Sequence, residues 1–408
     1  MRFRRFTFAG TAGELVGRLD LPVGHPKAYA LFAHCFTCTK DIHAARRISE
    51  RLTRHGFAVL RFDFSGLGES EGDFANAGFR ANVADLKAAA RALAAEGMAP
   101  RLLVGHSLGG AAALHAAPEI ESVTAVATIG APFSPDHVLR HFKGALREVA
   151  EEGEAEIAIG GRPFRITRRF LEQTLGVEQE ERIRHLNRAL LILHAPRDEI
   201  VGIENAEAIY RTARHPKSFV SLDDADHLLR RRADAWYAGD VIAAWCRRYV
   251  PELVEPELKA PFVEDGAHVI VAEAHTGRYQ EVISAKGHRM LADEPEEVGG
   301  LNHGPDPYGY LLSALGACTA MTLRMYAERK GWPLAHVAVR LAHRKVHAAD
   351  CADCETKDGM VDEITRDIAI TGALDEAQLT RLMEIANRCP VHRTLTGEVK
   401  IRSTRVES

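Results

Sequence analysis

Short apolar runs alternate with amphipathic stretches through the first 250 residues. Four of these runs have the length and composition of buried strands: residues 29–33, 57–64, 102–105 and 123–129. The stretches at 41–55 and 81–96 between them have the apolar spacing of helices. Alternation of this kind predicts a mostly parallel sheet covered by helices on both faces. Between residues 131 and 187 the pattern is interrupted, and a helix at 135–152, a hairpin at 157–166 and a helix at 168–175 are predicted there.

The pattern changes at residues 251–261, where three prolines and four charged residues interrupt all periodicity. Beyond this linker, three short strands are predicted within residues 268–292. A long helix over 308–330 follows, with an apolar stripe that includes Cys318 and Met325. A second helix is predicted over 376–387, and Pro390 prevents it from continuing further. We therefore expect an α/β domain at residues 1–250, a linker at 251–261 and an α+β domain at 262–408.

Composition excludes several classes of function. The 408 residues are 46% hydrophobic and 26% charged with a net charge of −4, so no nucleic-acid or anionic-membrane surface is expected. No run approaches the 18 or so apolar residues of a membrane span, and the basic start leads into a strand rather than a signal peptide. Seven cysteines without framework spacing indicate a reducing compartment, and we expect a cytoplasmic protein. No cofactor is expected.

The sequence Gly105-His106-Ser107-Leu108-Gly109 lies where a predicted strand passes into an alanine-rich helix. A serine at such a turn stands clear of the sheet, where a base can take its proton. The two glycines remove side chains where strand and helix approach closely. Ser107 is therefore the predicted nucleophile, and His106 is interpreted as packing rather than as the base.

An acid and a histidine follow two later strands. Asp198 comes just after the apolar run at 189–193, and His227 follows the run at 218–222. Ser107, Asp198 and His227 thus occur in the order nucleophile, acid, base, each beyond the carboxyl end of a predicted strand. We predict that they form a catalytic triad. Asp224 and Asp226, which precede His227, are compatible with an N-cap or with solvated charges.

These residues make the region from about residue 2 to 250 similar to the α/β-hydrolase family. The resemblance implies a small cap at about 131–187, a small ester or acyl substrate, and an oxyanion hole formed by the backbone N–H groups of Phe36 and Leu108. Cys35 occupies a position where glycine is usual. Together with Cys38 it is predicted to shape the pocket rather than to bind a metal.

The second half resembles the osmotically inducible protein C (OsmC) and organic hydroperoxide reductase family over about residues 263–405. The resemblance rests on Pro307-Tyr308 and on the segments 317–321 and 388–392. It implies that Cys318 attacks an organic hydroperoxide, that Cys389 then forms a disulfide with it, and that an external dithiol reduces the pair. It also implies that Arg278 stabilises the Cys318 thiolate, and that the protein is an intertwined homodimer.

One position departs from that family. A glutamate that pairs with the arginine is replaced here by Tyr308-Gly309. The preferred hypothesis is therefore a bifunctional enzyme, a serine hydrolase joined to a hydroperoxide reductase. The alternative makes the second domain a non-catalytic module for dimerisation or ligand binding, and a further alternative makes the first half a binding module.

A separate cluster of His347, Cys351 and Cys354 lies between two predicted strands. This spacing is compatible with a zinc or redox site, but it also suits an unliganded hairpin loop, because a structural zinc site needs a fourth ligand.

Overall fold

The computed structural model describes residues 2–35, 38–159, 162–350 and 358–406. The chain divides into two compact units, Met1–Glu255 and Pro256–Ser408.

Ten strands are described in the first unit. They are β1 (Arg2–Ala9), β2 (Glu14–Leu21), β3 (Ala28–Ala33), β4 (Phe57–Phe62), β5 (Pro100–His106), β6 (Ala125–Ile129), β7 (Glu154–Ile159), β8 (Arg162–Thr167), β9 (Ala189–His194) and β10 (Lys217–Ser221). Eight of them form one sheet in the order β1-β2-β4-β3-β5-β6-β9-β10. The pairs β1–β2 and β2–β4 are antiparallel and the remaining pairs are parallel. The carboxyl ends of β3, β4, β5, β6, β9 and β10 therefore meet at one edge, where open α/β sheets build their sites.

Eight α-helices are described beside these strands. They are α1 (His43–Arg54), α2 (Phe79–Ala95), α3 (Leu108–Ala116), α4 (Lys143–Glu152), α5 (Arg168–Thr174), α6 (Gln179–Arg184), α7 (Glu204–Thr212) and α8 (Arg232–Cys246). Successive side chains of a strand point to opposite faces, and the core divides accordingly. Leu31 and Leu103 pack with α2 and α3, whereas Phe32 and Val104 pack with α1 and α8. Both faces are covered, which explains why these strands are apolar throughout.

The segment between β6 and β9 has a small core of its own. Leu139, Val149, Ile166 and Phe170 are buried together there. The helix predicted over 135–152 is wrong in its first half, because Pro135–Phe142 is a 3₁₀ helix and α4 starts only at Lys143. Apolar spacing over two turns does not separate a period of 3.0 residues from one of 3.6.

The described part of the second unit has two antiparallel sheets and three α-helices. The elements are β11 (Val269–Glu273), β12 (Glu281–Ala285), β13 (His288–Ala292), α9 (Pro307–Lys330), β14 (Leu334–His347), β15 (Met360–Gly372), α10 (Glu376–Ala386) and α11 (Pro390–Leu395). The first three strands form one sheet, and β14 and β15 form the other. Leu323, Leu334, Leu382 and Ile385 make the core between α9, α10 and the β14–β15 pair.

Two sequence predictions for this unit are wrong in detail. Met325 is predicted to lie on the apolar stripe of α9, but its side chain is 69% exposed. The buried face of α9 is narrower than the predicted stripe and runs through residues such as Leu323 and Ala327. Pro390 does not end the second helix: α10 ends at Ala386, and Pro390 occupies the first turn of α11 with Cys389 as its N-cap. Proline is well suited to that position because the first N–H groups of a helix have no acceptor within it.

Among the described residues, no helix is both long and apolar enough to cross a membrane.

Candidate active site

Ser107 lies at the sharp turn between β5 and α3 with φ 56° and ψ −126°. Only a very close approach of strand and helix permits this turn. A Cβ atom on Gly105 would lie 2.4 Å from the carbonyl oxygen of Gly109, and one on Gly109 would lie 2.3 Å from that of Ala33. The two glycines of the motif are therefore required by backbone packing, and the turn holds the serine hydroxyl above the sheet edge.

The predicted acid and base meet this hydroxyl. Nε2 of His227 lies 3.0 Å from Oγ of Ser107, and Nδ1 of His227 lies 2.7 Å from Oδ2 of Asp198. All three side chains are nearly buried. A base within hydrogen-bond reach of a serine and oriented by a carboxylate is the arrangement that activates a serine nucleophile.

The Asp198 carboxylate is held ionised by its surroundings. Burial by itself raises its pKa, but the hydrogen bond and charge of His227 outweigh this effect. Backbone N–H groups of Ile200 and Val201 both donate to Oδ1 at 2.9 Å. The net result is a pKa below the ordinary aspartate value, so Asp198 remains a hydrogen-bond acceptor at neutral pH.

His106, interpreted from the sequence as a packing residue, makes a specific contact with the loop that carries the base. Its ring is fully buried, and its Nε2–H donates to the backbone carbonyl of His227 at 2.6 Å. Burial, followed by the neighbouring charge of His227, lowers the pKa of His106 to about 3. The ring therefore stays neutral and anchors the loop that carries the base.

Leu108, one of the two predicted oxyanion donors, is the first residue of α3. The first N–H groups of a helix have no acceptor in the helix and point toward its amino end, beside Ser107. Phe36, the other predicted donor, lies outside the described residues. Thr37 also lies outside them, and the described residues that flank this pair, Cys35 and Cys38, form a disulfide.

A buried ionic cluster holds the far end of this loop. Asp63, which follows β4, accepts hydrogen bonds from the backbone N–H of Lys40 at 2.7 Å and from its Nζ at 2.6 Å. Arg61 donates to the Lys40 carbonyl oxygen and to Asp20. Because β3 and β4 are neighbours in the sheet, the loop after β3 is tied to the loop after β4.

In the second unit, Cys318 is half-buried on α9 and Cys389 is fully buried, both as free thiols. Sγ of Cys389 lies 3.7 Å from Oγ1 of Thr319 and accepts the backbone N–H of His392 at 3.3 Å. Arg366 of β15 donates to the same Thr319 oxygen at 2.9 Å. Arg366 also donates to the carbonyl oxygen of Ala386 at 3.2 Å, three residues before Cys389. Burial, and then the charge of Arg366, lowers the pKa of His392.

The other predicted residues of this unit have the following contacts. The Arg278 guanidinium carbon is 4.9 Å from the centroid of the Tyr279 ring, and the Tyr308 ring stacks on His343 at 4.1 Å. His347 ends β14 and accepts a backbone hydrogen bond from Ala349. Cys351 and Cys354 lie outside the described residues, and within the rest of the chain no three His, Cys, Asp or Glu side chains are grouped as metal ligands.

Comparison with known families accounts for both halves. The sequence model of the alpha/beta hydrolase family matches residues 30–300. The chain belongs to the alpha/beta hydrolase family. The matched range runs beyond Glu255, but the strands of the hydrolase sheet all lie within the first unit. A second model, described as OsmC-like protein, matches residues 300–404, so the hydrolase carries an OsmC-like domain at its carboxy-terminal end.

Solved structures resemble the hydrolase part. The esterase domain of a Rhodothermus marinus protein is 49% identical, with 61% of this chain and 100% of that chain covered and a TM-score of 0.51. Est1E from Butyrivibrio proteoclasticus, solved with ferulic acid bound, is 19% identical over 60% of this chain and 99% of its own, with a TM-score of 0.51. Mouse alpha/beta hydrolase domain-containing protein 10 is 22% identical over 61% and 99%, with a TM-score of 0.50. The last two show the fold alone. No curated protein matches the chain.

Three contacts of this hydrolase escaped sequence reasoning. They are the bond from His106 to the His227 carbonyl, the tie of Lys40 to Asp63, and the approach of Arg366 to Thr319. Each contact joins segments at least 23 residues apart, so a local sequence pattern does not predict it. The sequence shows only that one partner of each pair lies in or next to a predicted motif or loop.

Proposed function

We propose that the first domain is a serine hydrolase of small esters or related acyl compounds, working through an acyl-serine intermediate. The observation that carries the proposal is the 3.0 Å contact between Nε2 of His227 and Oγ of Ser107, with Asp198 on the other ring nitrogen. The 49% identity to an esterase domain supports the ester as the substrate class.

The geometry supports a two-step reaction. His227 takes the Ser107 proton as Oγ attacks the acyl carbon, and Asp198 stabilises the imidazolium that forms. The N–H of Leu108, with that of Phe36 as the predicted second donor, binds the oxyanion. His227 then gives its proton to the leaving group, and water, deprotonated by the same imidazole, releases the acid. The 131–187 cap is the proposed site of acyl selectivity.

Covalent labelling tests this function. An alkyl fluorophosphonate is expected to add to one residue, Ser107, as located by peptide mass spectrometry, because only a hydroxyl with a base in reach displaces fluoride rapidly. Protein unfolded in urea is the control and should take up no label. Intact folded protein that stays unlabelled would return the first half to the binding-module hypothesis.

We propose further that the OsmC-like domain reduces organic hydroperoxides. The Cys318 thiolate attacks the terminal peroxide oxygen, which leaves an alcohol and a sulfenic acid on Cys318. Cys389 then attacks that sulfur, releasing water and forming the disulfide, and an external dithiol restores both thiols by exchange. Two free cysteines in the described residues of this domain support the proposal.

The positive charge that this step needs has two candidates. Arg278 is the residue that the resemblance implies. Arg366 is the second candidate, because it donates to the hydroxyl of Thr319, which follows Cys318 on α9 and contacts Cys389. The Tyr308 ring, at the place of the family's glutamate, supports the alternative of a dimerisation or ligand-binding module.

Peptide mapping after treatment with one equivalent of cumene hydroperoxide separates these hypotheses. We expect a Cys318–Cys389 disulfide in the reduced protein and none in Cys318→Ser. Comparing Arg366→Met with Arg278→Met identifies the activating cation, since a charge that stabilises the thiolate sets the rate of disulfide formation. Unchanged thiols in the wild-type protein would favour the non-catalytic module.

Three wider expectations remain proposals. Exposed Met321 and Met325 on one side of α9 support an intertwined homodimer through the OsmC-like domain. Domain boundaries at 250 and 262 and a cytoplasmic location are proposed on the sequence patterns given above.

A further inference from the structure

The oxyanion loop carries a disulfide that the hydrolytic reaction does not use. Cys35 and Cys38, three positions apart in the sequence, are bonded to each other shortly after the end of β3. Cys35 is buried, but Cys38 is only half-buried. Of the two cysteines, Cys38 is thus the more accessible to a thiolate from solution, and Cys35 is the more sheltered leaving group.

The two residues that precede this disulfide pack against the nucleophile elbow. A Cβ atom on Gly109 would lie 2.3 Å from the Ala33 carbonyl oxygen and 2.4 Å from that of His34. The chain that enters the disulfide thus rests on the first turn of the helix after Ser107. The buried His34 ring adds a 2.8 Å contact from Nδ1 to the Cys35 carbonyl oxygen.

The other end of the loop is fixed independently of the disulfide. Lys40 is tied to the buried Asp63 by its backbone N–H and by its ammonium group. The backbone N–H of Cys38 donates to the Cys35 carbonyl oxygen at 3.2 Å, a weaker constraint. The disulfide is therefore a separate constraint between two ends that are each attached to the core, in the segment to which the family resemblance assigns one oxyanion donor, the N–H of Phe36.

We propose that Cys35–Cys38 is a redox-modified site that sets the turnover of the hydrolase, active as the disulfide and slow as the dithiol. The inference rests on the proposed serine-hydrolase function. The modifying reagent is a dithiol. One of its thiolates attacks Sγ of Cys38, the Cys35 thiolate leaves and takes a proton, and the second thiol displaces Cys38 to give an oxidised dithiol and two protein thiols. Disulfides in reducing compartments are usually of this transient, redox-sensing kind.

The effect is expected on kcat rather than on KM. An oxyanion donor interacts with charge that develops only in the transition state, so loosening it removes stabilisation from that state alone. Removal of a whole donor typically costs about 10²- to 10³-fold in kcat. Because the loop stays attached at both ends, we expect about a tenfold fall.

The test uses the full-length protein and p-nitrophenyl acetate. Activity is measured for the oxidised protein, for protein reduced by excess dithiothreitol, and for protein reoxidised with diamide. In each state, mass spectrometry measures how much of Cys35 and Cys38 can be alkylated. We expect kcat to fall about tenfold as both thiols become alkylated and to recover on reoxidation. The thermal unfolding midpoint, recorded in each state, separates loosening of the loop from unfolding.

The Cys35→Ala/Cys38→Ala double variant is the control for reagent effects elsewhere in the chain. Its kcat should be low and should not respond to dithiothreitol or diamide. Equal kcat in the disulfide and dithiol forms, or a disulfide that dithiothreitol does not reduce in the folded protein, would overturn the inference. Fluorophosphonate labelling of Ser107 in the oxidised form separates failure of this inference from failure of the proposed hydrolase function. If Ser107 is labelled but kcat does not depend on the redox state, only this inference is wrong. If Ser107 is not labelled, the proposed hydrolase function is wrong.

Discussion

The Asp198→Asn variant is expected to hydrolyse esters about 10⁴-fold more slowly than the wild-type protein. Backbone N–H groups of Ile200 and Val201 both donate to Oδ1 of the carboxylate, so an asparagine must keep its oxygen there. Its NH2 group then faces Nδ1 of His227, where Oδ2 now lies 2.7 Å away. Nδ1 is forced to accept, Nε2 carries the hydrogen, and the ring cannot take the Ser107 proton.

Steady-state kinetics with p-nitrophenyl acetate measure this loss, which should fall on kcat. Asp224→Asn is the matched control, because it makes the same chemical change on an exposed carboxylate three residues before His227. Its kcat should equal that of the wild-type protein. A kcat for Asp198→Asn within tenfold of wild type would remove Asp198 from the triad.

The same variant tests the electrostatics of the site. The pKa of Asp198 is lower in the folded protein than its ordinary value of 3.8, so its ionisation contributes stability at pH above 3.8. That contribution is lost as the pH falls through the lower, folded value. Urea unfolding should therefore show a stability difference between wild type and Asp198→Asn that narrows in acid.

Gly109→Ala is expected to lower the free energy of unfolding by about 3 kcal/mol, at the upper end of ordinary overpacking. The new Cβ atom would lie 2.3 Å from the Ala33 carbonyl oxygen and 2.4 Å from the His34 carbonyl oxygen, and both are backbone atoms that cannot rotate away. Strand β3 and helix α3 must separate. We also expect kcat to fall about 100-fold, because a displacement near 1 Å at the reacting groups has that effect.

Thermal and urea unfolding, with ester kinetics, measure both effects. Gly144→Ala is the matched control: Gly144 lies in α4, and no heavy atom is within 4 Å of the position its Cβ would take. It should be neutral or should stabilise by about 0.5–1 kcal/mol, since alanine is the better helix former. A Gly109→Ala variant as stable and active as Gly144→Ala would mean that strand and helix are not packed as described.

Local patterns were sufficient to predict the alternating elements of the first domain. Apolar runs such as β9 are buried on both faces, so their composition alone identifies them. The second domain was harder. Its strand β14 alternates between exposed and half-buried residues, and α9 packs through a narrow face, so Met325 was wrongly assigned to the buried stripe.

The sequence by itself determined the order of Ser107, Asp198 and His227 and their positions beyond strand ends, because turn chemistry and strand periodicity are local properties of the chain. Only the tertiary structure decided what surrounds them. The strand order brings the loops after β3 and β4 together, and Lys40 thereby meets Asp63. Such contacts depend on which strands are neighbours in the sheet, and local periodicity carries no information about that choice.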